Sequence, residues 1–257
     1  MTPRQILIAY QTLIIKELIR TFRIWPQTIM PAAITMTLYF LIFGKLVGSQ
    51  IHPLQGFSYM QYIVPGLIMM SVITNSYIHA SASFFGMKFQ RSIEEILISP
   101  MPNVIILLGF ITGAVIRAFI VSLIVLCIAL LFTHISIAHT VLMVFIILMT
   151  SIFFATAGLI NAVFARTFDD VSWVPSFVLT PLTYLGGVFF SISMLSAFWR
   201  KLAMLNPVWY IVDLFRYTML GITDANIYLA LFVLLLGSVL FFIYALHLIA
   251  KSPRLRS

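Results

Sequence analysis

Stretches of about twenty apolar residues recur along this chain. Each is long enough to cross a hydrocarbon core of about 30 Å, where backbone polar groups must find partners within the protein. "VIILLGFITGAVIRAFIVSLIVLCIALLF" (104–132) and "YLALFVLLLGSVLFFIYALHLIA" (228–250) are two of them. Read as helices, they give six expected spans at about 26–47, 61–86, 104–132, 140–164, 172–192 and 228–250. Pro26 and Pro31 interrupt the first, Pro65-Gly66 the second, and Pro175, Pro181 and Gly186-Gly187 the fifth, where bends are tolerated if neighbours satisfy the released backbone groups. Only 9% of the residues are charged, against about a quarter in soluble domains, which excludes a water-soluble fold. The expectation is an all-α membrane protein of one domain, 1–257. It comprises an interface segment at 1–25, a six-span bundle at 26–250 and a basic cytoplasmic tail at 251–257, and no internal repeat divides it.

A net charge of +8 would suggest nucleic acid in a soluble protein, but membrane topology accounts for it. With the N-terminus inside, the cytoplasmic segments hold Arg4, Lys16, Arg20, Arg23, Lys88, Arg91, Arg166, Lys251, Arg254 and Arg256. The outer ones hold only Lys45, Arg200, Lys201 and Arg216. That asymmetry places both termini in the cytoplasm and leaves no role for nucleic acid. Lys16, Glu17, Arg20 and Arg23 interrupt what a secretory signal would keep apolar. Cys127 stands alone, so the sequence offers neither an intramolecular disulfide nor a thiolate metal site.

Residues 5–23 carry Leu7, Tyr10, Ile14, Leu18 and Phe22 at helical spacing opposite Thr12, Lys16, Arg20 and Arg23, the pattern of a helix lying in the membrane interface. "KFQRSIEEILISP" (88–100) sets Phe89, Ile93, Ile96 and Leu97 against Lys88, Arg91, Glu94 and Glu95 and stops at Pro100 and Pro102: a solvated helix or a docking element. Asp169 and Asp170 suit the N-terminus of the fifth span as well as a partner contact. Between spans five and six, residues 193–226 are too apolar for a loop and read as one or two short helices. Asn206-Pro207 marks a start, Gly221 a stop, and Asp213 and Arg216 lie one turn apart. Arg117 sits near the middle of the third span at a cost of about 2.5–3.5 kcal/mol, so it faces the bundle interior or a wet cavity. It is either a conduit or gate residue, a reading equally open for Asp213 and Arg216, or an arginine bonded to carbonyls or an acid that the sequence does not identify. His52, His79, His134, His139 and His247 are scattered, and no phosphate-binding G-x-x-x-x-G-K-[ST] occurs. The chain therefore reads as no enzyme, with no metal or cofactor of its own.

The stretches "QYIVPGLIMMSVI" (61–73), "FQRSIEEILISPMP" (89–102), "FDDVSWVPSFVLTPLTYLGGVFFS" (168–191) and "LNPVWYIVDLFRY" (205–217) together resemble the membrane subunit of an ABC-2 type transporter, the permease family of bacterial exporters. The resemblance covers nearly everything after residue 23 and departs from the family at Leu195-Ser196, where relatives often carry Leu-Pro. It implies export across the bacterial inner membrane by a dimer, a homodimer or a pair with a related permease, driven by ATP bound to a separate cytoplasmic ATPase subunit. Residues 88–98 then match the coupling helix, 5–23 the interface helix and 193–226 the outer gate helices. On that reading Lys88, Arg91, Glu94 and Glu95 face the ATPase while Phe89, Ile93 and Leu97 face the bundle. The sequence leaves alternating access and a continuous channel both open. The alternatives are a membrane-embedded enzyme acting on lipid-linked substrates, whose polar cluster is not evident, and an ATPase-independent carrier, whose inverted repeat is not evident.

Overall fold

A computed structural model describes residues 2–48, 50 and 53–251, and all its named elements are helical. His52, Arg254 and Arg256, expected in an outer loop and the basic tail, lie outside the described residues. Helix α1 (Pro3–Arg23) starts where Thr2 and Gln5 cap each other reciprocally, with proline at the first helical position. A kinked rod follows: α2 (Trp25–Thr28), α3 (Met30–Tyr39) and a π-helical segment, Phe40–Val47. Then come α4 (Tyr59–Phe89), α5 (Ser92–Ile98), α6 (Asn103–Phe132) and α7 (Thr140–Phe164). Ser58 and Gln61 cap α4 as Thr2 and Gln5 cap α1.

The expected fifth span is instead a segmented helix: α8 (Phe168–Val174), a π-helical stretch Pro175–Leu179, and α9 (Thr180–Leu185). Pro175 and Pro181 have no N–H to give the α ladder, which widens locally. Gly187, at φ 72, turns the chain back. The rod therefore ends about seven residues before residue 192. Among the described residues five helices are long and apolar enough to cross a membrane: Trp25–Gly44, Tyr59–Phe89, Asn103–Phe132, Thr140–Phe164 and Ile227–Lys251. The fifth expected span is not among them. Beyond it lie α10 (Ala197–Met204), α11 (Pro207–Leu220) and α12 (Ile227–Lys251). Asn206 accepts from the Val208 N–H to cap α11, and Gly221 ends it in the left-handed region at φ 73, as those residues foretell. Ser196 precedes α10 without a side-chain cap, so the departure at Leu195-Ser196 still admits a helix there.

Helix α4 is the hub: 83% of its most apolar window is buried, against 22% for α12. It packs on α6, α7 and α11. Close approach depends on glycine. A Cβ at Gly66 would stand 2.7 Å from the Val188 carbonyl oxygen, where the chain beyond α9 folds back onto α4. At 31 residues α4 is about 46 Å long, so it exceeds the hydrocarbon core and carries one end past the membrane boundary.

Candidate functional site

That projecting end is where the sequence concentrates charge. Helix α4 continues to Phe89, Gln90 takes φ −80 and ψ 0, and Arg91 takes the left-handed conformation at φ 59 before α5 begins. A single helical wheel over residues 88–97 therefore fails, because the turn resets the phase between Phe89 and Ser92. The expected faces need correcting accordingly. Lys88 turns inward: its Nζ donates to the carbonyls of Val163 and Ala165, both at 2.7 Å, at the C-terminus of α7, where a cation meets both unpaired carbonyls and the negative end of the helix dipole. Phe89, expected against the bundle, is 62% exposed. Its ring lies 5.1 Å from that of Phe168, which in turn meets Phe85 edge-on at 4.9 Å. Within α5, Ile93 is buried and Leu97 half-buried, as expected. Glu95 is exposed and Glu94 half-exposed in the first turn of α5, and among the described residues neither has an ion-pair partner. Asp170 caps α8, accepting from the Arg166 and Thr167 N–H groups at 2.8 and 3.1 Å, which holds its carboxyl below the ordinary range.

Helix α1 lies across α6. Its buried line is Leu13, Glu17 and Thr21, offset from the apolar face read from the sequence; Leu7 and Phe22 are exposed. The reason is Gly109 and Gly113, one turn apart on α6. A Cβ at either would stand 2.9 Å from Leu13 Cβ or 2.7 Å from Glu17 Cβ, so only glycine admits α1 this close. Glu17 is thereby carried into the bundle. Its carboxylate accepts from the Ser83 hydroxyl at 2.7 Å and faces His79 Nε2 at 3.1 Å, with Arg20 at 3.9 Å. Burial alone would raise the Glu17 carboxyl, but the His79 and Ser83 hydrogen bonds and the charges nearby outweigh it and hold the acid below its ordinary value. Lys16 and Arg23 are exposed beside it.

The Glu17 carboxylate favours a proton on His79 Nε2, leaving Nδ1 to accept from Arg117 Nη1 at 3.4 Å. Arg117 Nη2 donates to Asn75 Oδ1 at 3.1 Å and to the Thr28 carbonyl at 3.3 Å. The partner missing from the sequence is thus a chain through four helices: Glu17 on α1, His79 and Asn75 on α4, Arg117 on α6, and the Thr28 backbone on α2. Arg117 also walls a cavity of about 310 Å³ with Gln27, Thr35, Thr74 and Asn75. Glu17, His79 and Asn75 escaped sequence reasoning. The available signals were that Glu17 is the lone acid of α1 and that Asn75 and His79 fall one turn apart within the second expected span.

Asp213 and Arg216 are brought together at the opposite end of the bundle. Arg216 Nη1 lies 3.5 Å from Asp213 Oδ1, Nη2 donates to the Gly187 carbonyl at 2.6 Å, and the guanidinium stands 4.1 Å from the centre of the Tyr62 ring. Asp213 further accepts from the Thr223 hydroxyl and from the N–H groups of Asp224 and Ala225. His139 stacks on Tyr217, and among the described residues no three His, Cys, Asp or Glu side chains converge.

A family model described as "ABC-2 type transporter" matches residues 8–220. The chain belongs to that family. It is 49% identical over 250 residues to the "Inner membrane transport permease YadH" of Escherichia coli (strain K12), covering 97% of this chain and 98% of that one. It is 26% identical over 218 residues to "Nodulation protein J" of Rhizobium leguminosarum bv. viciae, covering 83% of each. The chain is thus a membrane permease subunit of an ABC transporter, a multi-pass inner-membrane protein whose family works with an ATPase subunit.

Proposed function

We propose that this ABC-2 permease is one half of a homodimer that exports its cargo, and that ATP is bound and hydrolysed wholly on a separate subunit docked beneath α5. Both termini lie in the cytoplasm, and residues 168–185 with the turn after them supply the sixth crossing; at about 27 Å the rod nearly spans the core. The whole chain acts as one domain. Glu95, exposed, and Glu94, half-exposed, neither with an ion-pair partner among the described residues, meet the ATPase together with Arg91. Lys88 acts from behind, as the tie that passes a push on α5 into the bundle.

The observation that carries this reading is how α5 is fastened. Lys88 clamps the end of α4 to the carbonyls of α7, while Phe85, Phe89 and Phe168 join it to the start of α8. Through Arg117, α4 is further tied to the start of the first span. A displacement of α5 on ATP binding would tilt the first, second and fifth transmembrane segments together, with the Arg117 cavity on the conduit side. Helices α10 and α11 would form the outer gate, held shut by the Asp213–Arg216 pair. Reversal of both acids, Glu94→Lys with Glu95→Lys, is expected to abolish co-purification of the ATPase and permease-stimulated ATP turnover; unchanged docking and turnover would refute the coupling role.

A further inference from the structure

Between α1 and the cytoplasmic end of α4 lies a cavity of about 530 Å³ that the coupling scheme does not use. Lys16, Arg20 and Arg23 line it together with the apolar side chains of Ile15 and Ile19. Its cations are short of acceptors. The acceptor of Lys16 Nζ is the Met87 thioether at 3.0 Å, a weak one for an ammonium with three protons to place. Arg23 has no hydrogen-bond or ion-pair partner among the described residues. Among the described residues Arg20 reaches Glu17, at 3.9 Å, and that carboxylate is already taken by His79 and Ser83. Beside these cations Ile15 and Ile19 are 55% and 60% exposed. An acidic protein surface would complement the charges but leave the two isoleucines wet. A molecule with a phosphate at one end and hydrocarbon at the other satisfies both.

We propose that this cavity seats the headgroup of an anionic membrane lipid, with Lys16, Arg20 and Arg23 around its phosphate and an acyl chain along Ile15 and Ile19. The proposal rests on α1 lying at the membrane interface and not on the ATPase docking scheme. Each cation near a phosphate-bearing surface contributes enough to change affinity about fivefold.

The test uses the full-length chain in neutral detergent, with bound lipid counted by native mass spectrometry after addition of dioleoylphosphatidylglycerol or dioleoylphosphatidylcholine. The wild type is expected to retain phosphatidylglycerol preferentially, and inorganic phosphate, which lacks the acyl chain, should not displace it at equal concentration. Lys16→Gln with Arg23→Gln, which spares the Arg20–Glu17 pair and so the seat of α1, should weaken that retention by more than tenfold. Arg166→Gln with Lys251→Gln removes as much charge elsewhere and should leave retention unchanged. Equal retention of the two lipids by the wild type, or an equal loss from both double variants, overturns the site. Loss of ATPase co-purification with lipid retention intact also overturns it and assigns the cations to the ATPase. Displacement by inorganic phosphate overturns the lipid and leaves a plain phosphate site.

Discussion

The molecule buries acid and base at both ends, and the two clusters are built differently. At the end that holds α11, Asp213 is met by Arg216 three residues away and by the turn at residues 223–225, while Arg216 reaches the Gly187 carbonyl at 2.6 Å. That is a staple made by one turn and the chain just beyond α9, with Arg216 Nε left without a hydrogen-bond partner among the described residues. At the end that holds α1, Glu17, His79, Arg117 and Asn75 stand on α1, α4 and α6, and the bonds that continue past His79 are long, at 3.1 to 3.4 Å. One cluster fixes a hairpin; the other spans helices that the proposed cycle requires to move, with cavities on either side.

The largest expected effect breaks the Asp213 staple. Asp213→Asn keeps the shape but leaves the buried Arg216 uncompensated, so about 3–5 kcal/mol of stability should disappear, read as a large fall in the thermal midpoint of the purified protein. The matching change inside, Glu17→Gln, should cost less, about 1–3 kcal/mol. His79 can stay neutral, and Arg117 keeps Asn75 and the Thr28 carbonyl. Its signature is local: α1 gains hydrogen exchange while α4 and α6 do not. If Glu17→Gln destabilised the whole protein as much as Asp213→Asn, the distinction between the clusters would collapse.

How far these clusters were legible differs in the same way. The staple announced itself, because Asp213 and Arg216 are neighbours on one helix bracketed by Asn206 and Gly221. The inner chain joins residues up to about a hundred positions apart, a pairing that periodicity within one helix does not reveal. The shape of α5 was misread for a related reason. The left-handed residue that resets the helix is Arg91 rather than glycine, so the usual marker of a break is missing and the sequence reads as one helix where the structure has two. The fifth span was half legible: its prolines and glycines were visible, but not how much of the helix they would cost.

The smallest effect concerns acidity. The Glu17 carboxyl is held below its ordinary value of 4.5, so its contribution to seating α1 is complete above that value and is lost as the pH falls through the lower folded one. Hydrogen exchange of α1, taken relative to the intrinsic rate at each pH, should therefore be flat from pH 8 to pH 6. A rise within that window would mean that the inner chain is governed by His79 instead.

The proposed coupling carries motion of α5 to the fifth segment through Lys88 and the Phe85, Phe89 and Phe168 rings. It is tested most directly by electron spin distances in the permease–ATPase complex, in a Cys127→Ser background, with labels at Phe177 of both protomers and a second pair at Ile98 on α5; both positions are exposed. With nucleotide trapped on the ATPase, both pairs should change distance in the parent complex. With Lys88→Met and Phe168→Ala added, the Ile98 pair should still respond while the Phe177 pair no longer does. An undiminished response at Phe177 would mean that motion of α5 does not reach the fifth segment through these residues.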